Sequence, residues 1–414
     1  MEKRQLFHSK AHQYLLLLIA FALPTAQLVP VFIVLLLLNW LVEGDLKNKM
    51  TAVFKNKFAI SFIAFYLLHV IGLLYTVNMP AGLFDLEIKL SLLIFPLILA
   101  SRPVKGQQLN RVLFALTLGC CLSLLVMLIR ATVIYFTSGE NNFYYQALSF
   151  FIHPSYISMY VNVCIAWIGY HVINKSTPVT GFSRVVLFFI LLFFMLMTVL
   201  LSSKMGFLTL LLLVVGFLVY YVIKMKRYKT GITGLALIMV ILAGIWYGVP
   251  EFKGRVERAV TAVTAGSADK TDGESTAVRM LIWKAANKVI AENPVIGTGT
   301  GDSKDELMKE YEREGITGAI EHKLNAHNEF YQVFVTLGLI GFLLLLFNLF
   351  APLFNAIKTH RAVYTLFLAI VIFNFLTESM LETQAGVVFY AFFNSLLCFA
   401  AADKQNASGT LNHG

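Results

Sequence analysis

Three side chains in this sequence could hold a phosphate or move a proton where a polar stretch meets apolar helices: Lys204, Arg279 and His327. His327 lies in Asn325-Ala326-His327-Asn328-Glu329, at the end of the polar stretch 248–328 and just before an apolar run. Histidine is the side chain whose charge changes near neutral pH, so one in a solvent-facing loop can take up or release a proton. Arg279, in Val278-Arg279-Met280-Leu281-Ile282-Trp283, carries a planar fork suited to paired hydrogen bonds with phosphate oxygens. Lys204 follows two serines in Leu201-Ser202-Ser203-Lys204-Met205-Gly206, at a short connection between two apolar runs. Arg130, in Met127-Leu128-Ile129-Arg130, lies inside an apolar run, where an ionisable residue is costly and a functional candidate by default. Fixed cations beside a phosphate leaving group lower a barrier by preorganised electrostatics, and a nearby imidazole can deprotonate the attacking hydroxyl.

Each residue also has a plainer role. A polar residue before an apolar helix often serves as its cap, and Asn325 or Asn328 would do that better than His327. Arg279 taken alone could be a solvated helix residue. Arg130 and Lys89 could extend their long stems to the membrane interface, and for Lys89 this snorkelling is the expectation. The serines and the short connection instead favour a fixed position for Lys204.

The elements that must position these groups are membrane helices. The chain is 58% hydrophobic and only 14% charged over 414 residues, whereas soluble domains hold about 25% charged residues. Apolar runs of roughly 17–25 residues recur, the length that crosses a hydrocarbon core as helix, and helix satisfies the backbone there. Twelve spans are expected: 12–25, 28–42, 58–76, 88–101, 110–136, 154–173, 185–202, 205–223, 231–248, 329–350, 362–377 and 386–402. Basic residues in short loops remain cytoplasmic. With the N-terminus inside, nineteen lysines and arginines fall on the cytoplasmic side, against Lys89 and Lys204 in the short outer loops. Both termini then face the cytoplasm. The start, Met1 to His12, is basic, and the apolar run from Tyr14 continues past Pro24, as a signal-anchor helix does. The net charge of +10 is mostly this topology signal, with membrane lipid as the partner of the inner surface. Nothing in it favours nucleic-acid binding.

The stretch 248–328 then lies outside the cytoplasm, nearly neutral with thirteen acidic and eleven basic residues. It reads as a small helical cap. Phe252–Thr264 forms a short basic helix. A second, capped by Ser275 or Thr276, ends at Asn293-Pro294 and places Val278, Leu281, Ile282, Ala285, Ala286, Val289 and Ile290 on one apolar face. A third starts at Asp302 or Ser303 and runs to about Glu314. The tract Gly266–Gly273 lacks large apolar residues and is a loop that could act as a gate. Gly297, Gly299 and Gly301 lack the strand and spacing of a dinucleotide fingerprint; they suit a tight turn, or a backbone-amide cradle for phosphate. Asp302-Ser303-Lys304-Asp305 fits a helix start. No DxD pair lies in an outer loop, and His322 and His327 lack a third ligand nearby, so neither metal nor cofactor is expected. Cys120, Cys121, Cys164 and Cys398 all lie in apolar runs, which supports neither a disulfide framework nor a thiolate metal site.

Taken in order, the Ser203-Lys204 junction, Arg279-(x3)-Trp283, Asn293-Pro294-Val295-Ile296-Gly297-Thr298-Gly299, Ala326-His327-Asn328 and Leu337-Gly338-Leu339-Ile340-Gly341 resemble the bacterial O-antigen ligase family. Its wider group includes O-antigen polymerases and protein O-oligosaccharyltransferases. The match covers about residues 198–345. The resemblance implies an all-α polytopic membrane protein of the GT-C kind, with about twelve transmembrane helices and one large periplasmic helical loop. It divides the chain into helices 1–9 (1–247), the periplasmic loop with the catalytic residues (248–328), helices 10–12 (329–402) and a cytoplasmic tail (403–414). It implies a bacterial inner-membrane glycosyltransferase whose site faces the periplasm. A glycan passes from undecaprenyl pyrophosphate to the lipid A–core oligosaccharide by metal-independent, inverting transfer. Arg279 and His327 match the family's functional arginine and histidine. Lys204, Arg130 and Asn328 are the expected pyrophosphate-binding residues. Where the family usually has Ser-Arg this chain has Ser203-Lys204, which keeps the charge but loses the bidentate geometry. A polymerase with a second lipid-linked repeat as acceptor is the alternative, followed by a protein glycosyltransferase. The alternative outside enzymes is a lipid-linked glycan transporter, which would favour internal repeats and polar residues at mid-membrane; neither is evident.

Overall fold

A computed structural model describes residues 2–174, 176, 183–264, 270–271 and 276–401. Ser275, most of the Gly266–Gly273 tract and the tail from 402 fall outside the described residues. All regular structure among the described residues is helical. From the N-terminus come α1 (Glu2–Ala22), α2 (Val29–Glu43), α3 (Leu46–Phe54), α4 (Lys57–Gly72), α5 (Met79–Lys89), α6 (Ser91–Ser101) and α7 (Gly106–Ser138). Next are α8 (Tyr145–Leu148), α9 (Pro154–Ile173), α10 (Arg184–Leu200), α11 (Lys204–Met225) and α12 (Tyr228–Gly248). The polar stretch holds α13 (Pro250–Thr264), α14 (Thr276–Glu292), α15 (Ser303–Glu314) and α16 (Thr317–Glu321). The chain closes with α17 (Glu329–Lys358), α18 (Ala362–Phe375) and α19 (Gln384–Phe399).

Each expected apolar segment contains a helix, and the protein is an all-α polytopic membrane protein. The count of twelve spans is not reproduced. Seven helices among the described residues are long and apolar enough to cross a membrane, or eight if the α2–α3 pair, bent by 113°, is one broken span. Three further apolar helices among these residues, α10, α18 and α19, are shorter. With 14 residues in α18, a rise of 1.5 Å per residue gives about 21 Å against a ~30 Å core.

Helix α9 is the centre of the bundle. It packs on α7, α10, α11 and α18, and Tyr160, Trp167 and Asn162 on it are fully buried. A second, smaller core joins α14, α15 and α16, built from Val278, Ile282, Ala285, Ala286, Val289, Leu307 and Tyr311. The apolar face read from the helical period of α14 is the one it buries, with Leu281 and Ile290 at its partly exposed edge.

What fixes this cap to the bundle is a break in α17. Gly338 has φ +63° and is non-helical within the element. A helix interrupted there leaves the carbonyls of Val335 and Thr336 and the amides of Leu339 and Ile340 without their i,i+4 partners. The run 294–299 supplies all four. Thr298 N donates to Val335 O (2.8 Å), Gly299 N to Thr336 O (3.0 Å), Leu339 N to Pro294 O (2.9 Å) and Ile340 N to Val295 O (3.4 Å). Backbone near lipid must be satisfied by protein, and here two broken segments satisfy each other. The glycine run is therefore the turn of the two sequence readings, its amides already occupied: Gly301 N, too, donates to Thr76 Oγ1. Asp302 then accepts from the amides of Val77 and Asn78, both at 2.7 Å, and Asn78 Nδ2 donates to Asp305.

A methyl group on Gly338 would overlap the Val295 carbonyl in addition to facing the left-handed backbone. Gly139 has φ +74° but open space around it. Gly139→Ala should therefore cost about 1–2 kcal/mol from backbone conformation alone. Gly338→Ala should cost about 1–3 kcal/mol more through overpacking, read as a lower thermal unfolding midpoint of the detergent-solubilised protein. Equal midpoints for the two variants would contradict the pairing.

Candidate functional site

A cavity of about 380 Å³ opens where the cap meets the bundle. Its walls come from five places: the run Tyr145–Tyr156, the α10–α11 junction (Ser203, Lys204), Arg279 of α14, the segment 322–327, and the loop after α18 (Glu378, Ser379, Thr383). Among the lining residues Lys204 and Arg279 are fixed cations, His153, His322 and His327 are imidazoles, and Glu378 is the one carboxylate.

Local structure holds each group in place. Ser203 caps α11 by accepting from Gly206 N (3.2 Å), and Asn162 of α9 donates to Gly206 O (2.9 Å). The junction that carries Lys204 is thus pinned to the central helix. On α14, Arg279 and Trp283 are four residues apart and share a face. Trp283 Nε1 donates to Ala326 O (2.9 Å), and its ring lies parallel to that of Tyr331. His327 has φ +46°, a left-handed conformation uncommon outside glycine. Asn325 Oδ1 holds it there by accepting from His327 N (3.0 Å).

The two motif residues meet on a residue that the sequence reading did not select. Glu378 Oε1 pairs with Arg279 Nη2 at 2.8 Å, and Glu378 Oε2 with His327 Nδ1 at 3.1 Å. Arg279 Nη1 also donates to the carbonyl of Thr377 (2.7 Å). Burial would push the Glu378 carboxyl up, but the His327 hydrogen bond and the Arg279 guanidinium outweigh it and hold it at about 2. At neutral pH Glu378 is ionised and can only accept, so His327 Nδ1 carries the hydrogen and Nε2 is left as the basic nitrogen. One signal was available in the sequence: between Phe330 and Ala402 the only acidic residues are Glu378 and Glu382.

The loop bearing Glu378 is stitched to the histidine segment along its length. Asn328 N donates to Ser379 Oγ (3.2 Å) and Asn328 Nδ2 to Leu376 O (2.9 Å). Glu329 Oε2 accepts from Leu381 N (2.7 Å). Lys89 overturns the snorkelling expectation: it is buried and paired with Asp85 and, at 2.9 Å, with Glu382 of the same loop. Two carboxylates make burial of the ammonium tolerable where solvent is out of reach.

The other expected residues lie apart from the cavity lining. Asn328 caps α17, its Oδ1 accepting from Phe330 N (2.9 Å) and Tyr331 N (3.2 Å). Arg130 is exposed, lies over the Phe150 ring at 4.7 Å and donates to Ala147 O.

Comparison with known proteins matches residues 187–346 to a family model described as O-antigen ligase. Over this span, less than half of the chain, the sequence is similar to that family. The matched span contains Lys204, Arg279 and His327, whereas Glu378 lies beyond it. The chain is also 27% identical over 199 residues to an uncharacterized protein of Haemophilus influenzae, across 45% of this chain and 49% of that protein. It thus spans about half the length of this curated relative. The ligase-family segment ends just beyond the break in α17, so it includes both halves of the backbone pairing that seats the cap.

Glu378→Gln should lower stability at neutral pH by ~2 kcal/mol, the cost of leaving a charged partner unmatched. Because the carboxyl is held down, its contribution is complete above the ordinary carboxylate range and is lost as pH falls towards about 2. Wild type and variant should therefore differ in unfolding midpoint at pH 7 and converge as pH falls through that window. A gap that widens on acidification would contradict the ion pair.

Proposed function

We propose that this protein is an O-antigen ligase of the bacterial inner membrane. It transfers a glycan from undecaprenyl pyrophosphate to the lipid A–core oligosaccharide, with the stretch 248–328 and its cavity on the periplasmic face. One observation carries the reading: Arg279 and His327, from separate segments of the family domain, share the two oxygens of Glu378 at a cavity also lined by Lys204.

The chemistry follows from the groups present. An acceptor hydroxyl attacks the anomeric carbon, the bond from that carbon to the pyrophosphate oxygen breaks, and the lipid pyrophosphate leaves with the electron pair. His327 Nε2 takes the hydroxyl proton, an effect worth roughly 10²–10⁴-fold. Glu378 fixes the imidazole in the required tautomer and stabilises the imidazolium that forms, as a buried carboxylate does for a catalytic histidine elsewhere. A guanidinium has five N–H donors; two of those of Arg279 engage Thr377 and Glu378, leaving the others for phosphate oxygens. Lys204 adds a compact charge from the α10–α11 junction, another wall of the same cavity. The displacement inverts the anomeric centre, and the polyprenyl chain lies along the apolar bundle. Arg130, outside the lining residues, is given no part in the pyrophosphate clamp, and Asn328 acts through the helix cap beneath His327.

Arg279→Ala and His327→Ala should each reduce transfer by about 10²-fold or more while the protein still accumulates in the membrane. The test is a strain lacking the gene, complemented with each form, its lipopolysaccharide resolved on a gel. Loss of the long-chain ladder with full-length polymer on the lipid carrier supports a ligase. Single repeats capped onto the core would instead identify a polymerase, and an unchanged ladder would overturn the ligase reading and turn the search to glycoproteins or transport.

A further inference from the structure

Five of the residues lining the cavity come from one run, from α8 through the first turn of α9: Tyr145, Gln146, His153, Ser155 and Tyr156. The reaction described above gives none of them a direct part, although the Ser155 hydroxyl lies 3.5 Å from Glu378 Oε1. The run has its own internal order. The Tyr145 and His153 rings meet edge to face at 5.9 Å, as do those of His153 and Tyr156 at 6.2 Å. His153 Nδ1 accepts from Ser155 N (3.3 Å), capping α9. Arg130 braces the run, lying over Phe150 and donating to Ala147 O. Tyr145 itself has φ +52°. A bulky residue in the left-handed region is an outlier that persists only when the surroundings impose it, and such outliers cluster at ligand sites.

We infer that the run Tyr145–Tyr156 is a sugar-recognition wall, binding a pyranose ring of one of the two substrates. The inference rests on the glycosyl-transfer reading of the same cavity. A sugar ring has an apolar C–H face and a rim of hydroxyls, so it suits aromatic surfaces combined with groups that both donate and accept. Tyr145 and Tyr156 supply amphipathic rings, which His153 orders through Ser155 N and the Tyr145 hydroxyl; the exposed Gln146 amide is of a type that both donates and accepts. The cations lie on other walls, on α11 and α14, so phosphate and sugar are addressed by different elements. Arg130 then acts as a positioning residue, holding the wall from outside the cavity.

The ring bound could be the first sugar of the donor or the terminal sugar of the acceptor, and binding measurements separate the two. Full-length protein in nanodiscs would be titrated with glycan-linked and bare undecaprenyl pyrophosphate, and separately with lipid A–core and lipid A. Wild type should bind the glycosylated member of one pair at least tenfold more tightly, and the pair showing this identifies the occupant. Tyr145→Asn, which suits the left-handed backbone, should erase that advantage without lowering the unfolding midpoint, and Gln146→Ala should reduce it several-fold. Tyr145→Phe should retain it. Affinity for bare undecaprenyl pyrophosphate should be unchanged in all three, whereas Arg279→Ala should weaken it. No sugar-dependent advantage in wild type, or an advantage untouched by Tyr145→Asn and Gln146→Ala, would overturn the wall. Should Tyr145→Asn fail to fold, the exposed Gln146→Ala carries the test. Undiminished pyrophosphate binding by Arg279→Ala would count against the functional reading instead, so the two failures are distinguishable.

Discussion

The Glu378 carboxylate is the interaction on which the arrangement of the site depends. Its two oxygens hold an arginine from the cap and a histidine from the segment that re-enters the bundle. Without it, Arg279 would lie beside the Thr377 carbonyl alone and His327 would lose the acceptor that fixes its tautomer. The pairing is largely shielded from solvent, with 15% of the Glu378 side chain exposed, so its energetics are screened far less than those of a surface ion pair. It also balances charge. Glu378 offsets one of the cations facing the cavity, and Lys204 leaves the lining positive in sum, which suits the proposed pyrophosphate.

That carboxylate can do its work only because its loop and the cap are both held rigidly. The loop after α18 is clasped by Asn328, Glu329 and the buried Lys89–Glu382 pair. The cap is seated by the reciprocal hydrogen bonds between 294–299 and the break at Gly338, and by Asp302 on the amides of Val77 and Asn78. Two motifs that resemble separate family signatures in the sequence are thus halves of one backbone junction. Positioning groups within fractions of an ångström needs this kind of support, since small misplacements cost large factors in rate.

Much of this was legible in the sequence, for physical reasons that also set the limit. The apolar runs announce helices because lipid leaves the backbone no other partner. The buried face of α14 follows from its period, and the cap at Asn328 from its amide. Arg279 and His327 stand out as polar groups of the right chemistry at the membrane surface. The resemblance adds their pairing with Lys204. Glu378 was marked only by its isolation among apolar helices, and its pairing was not legible: its partners lie about fifty and a hundred residues away. Lys89 misled for the same reason, because its carboxylate Glu382 lies 293 positions on. The break at Gly338 was hidden as well, since a single glycine in a run of leucines reads as continuous helix. The count of twelve spans exceeds the seven or eight helices among the described residues that are long and apolar enough to cross, because α10, α18 and α19 are shorter, a boundary that composition alone does not mark.

Nitrogen NMR of histidine-labelled protein, with the His327 signals assigned by their loss in His327→Gln, tests the central claim most directly. The account predicts hydrogen on His327 Nδ1, bonded to Glu378, in wild type, and a shift of the Nδ1 signals once Glu378 is replaced by glutamine. A bare Nδ1 in wild type, or an identical spectrum in the two proteins, would contradict it.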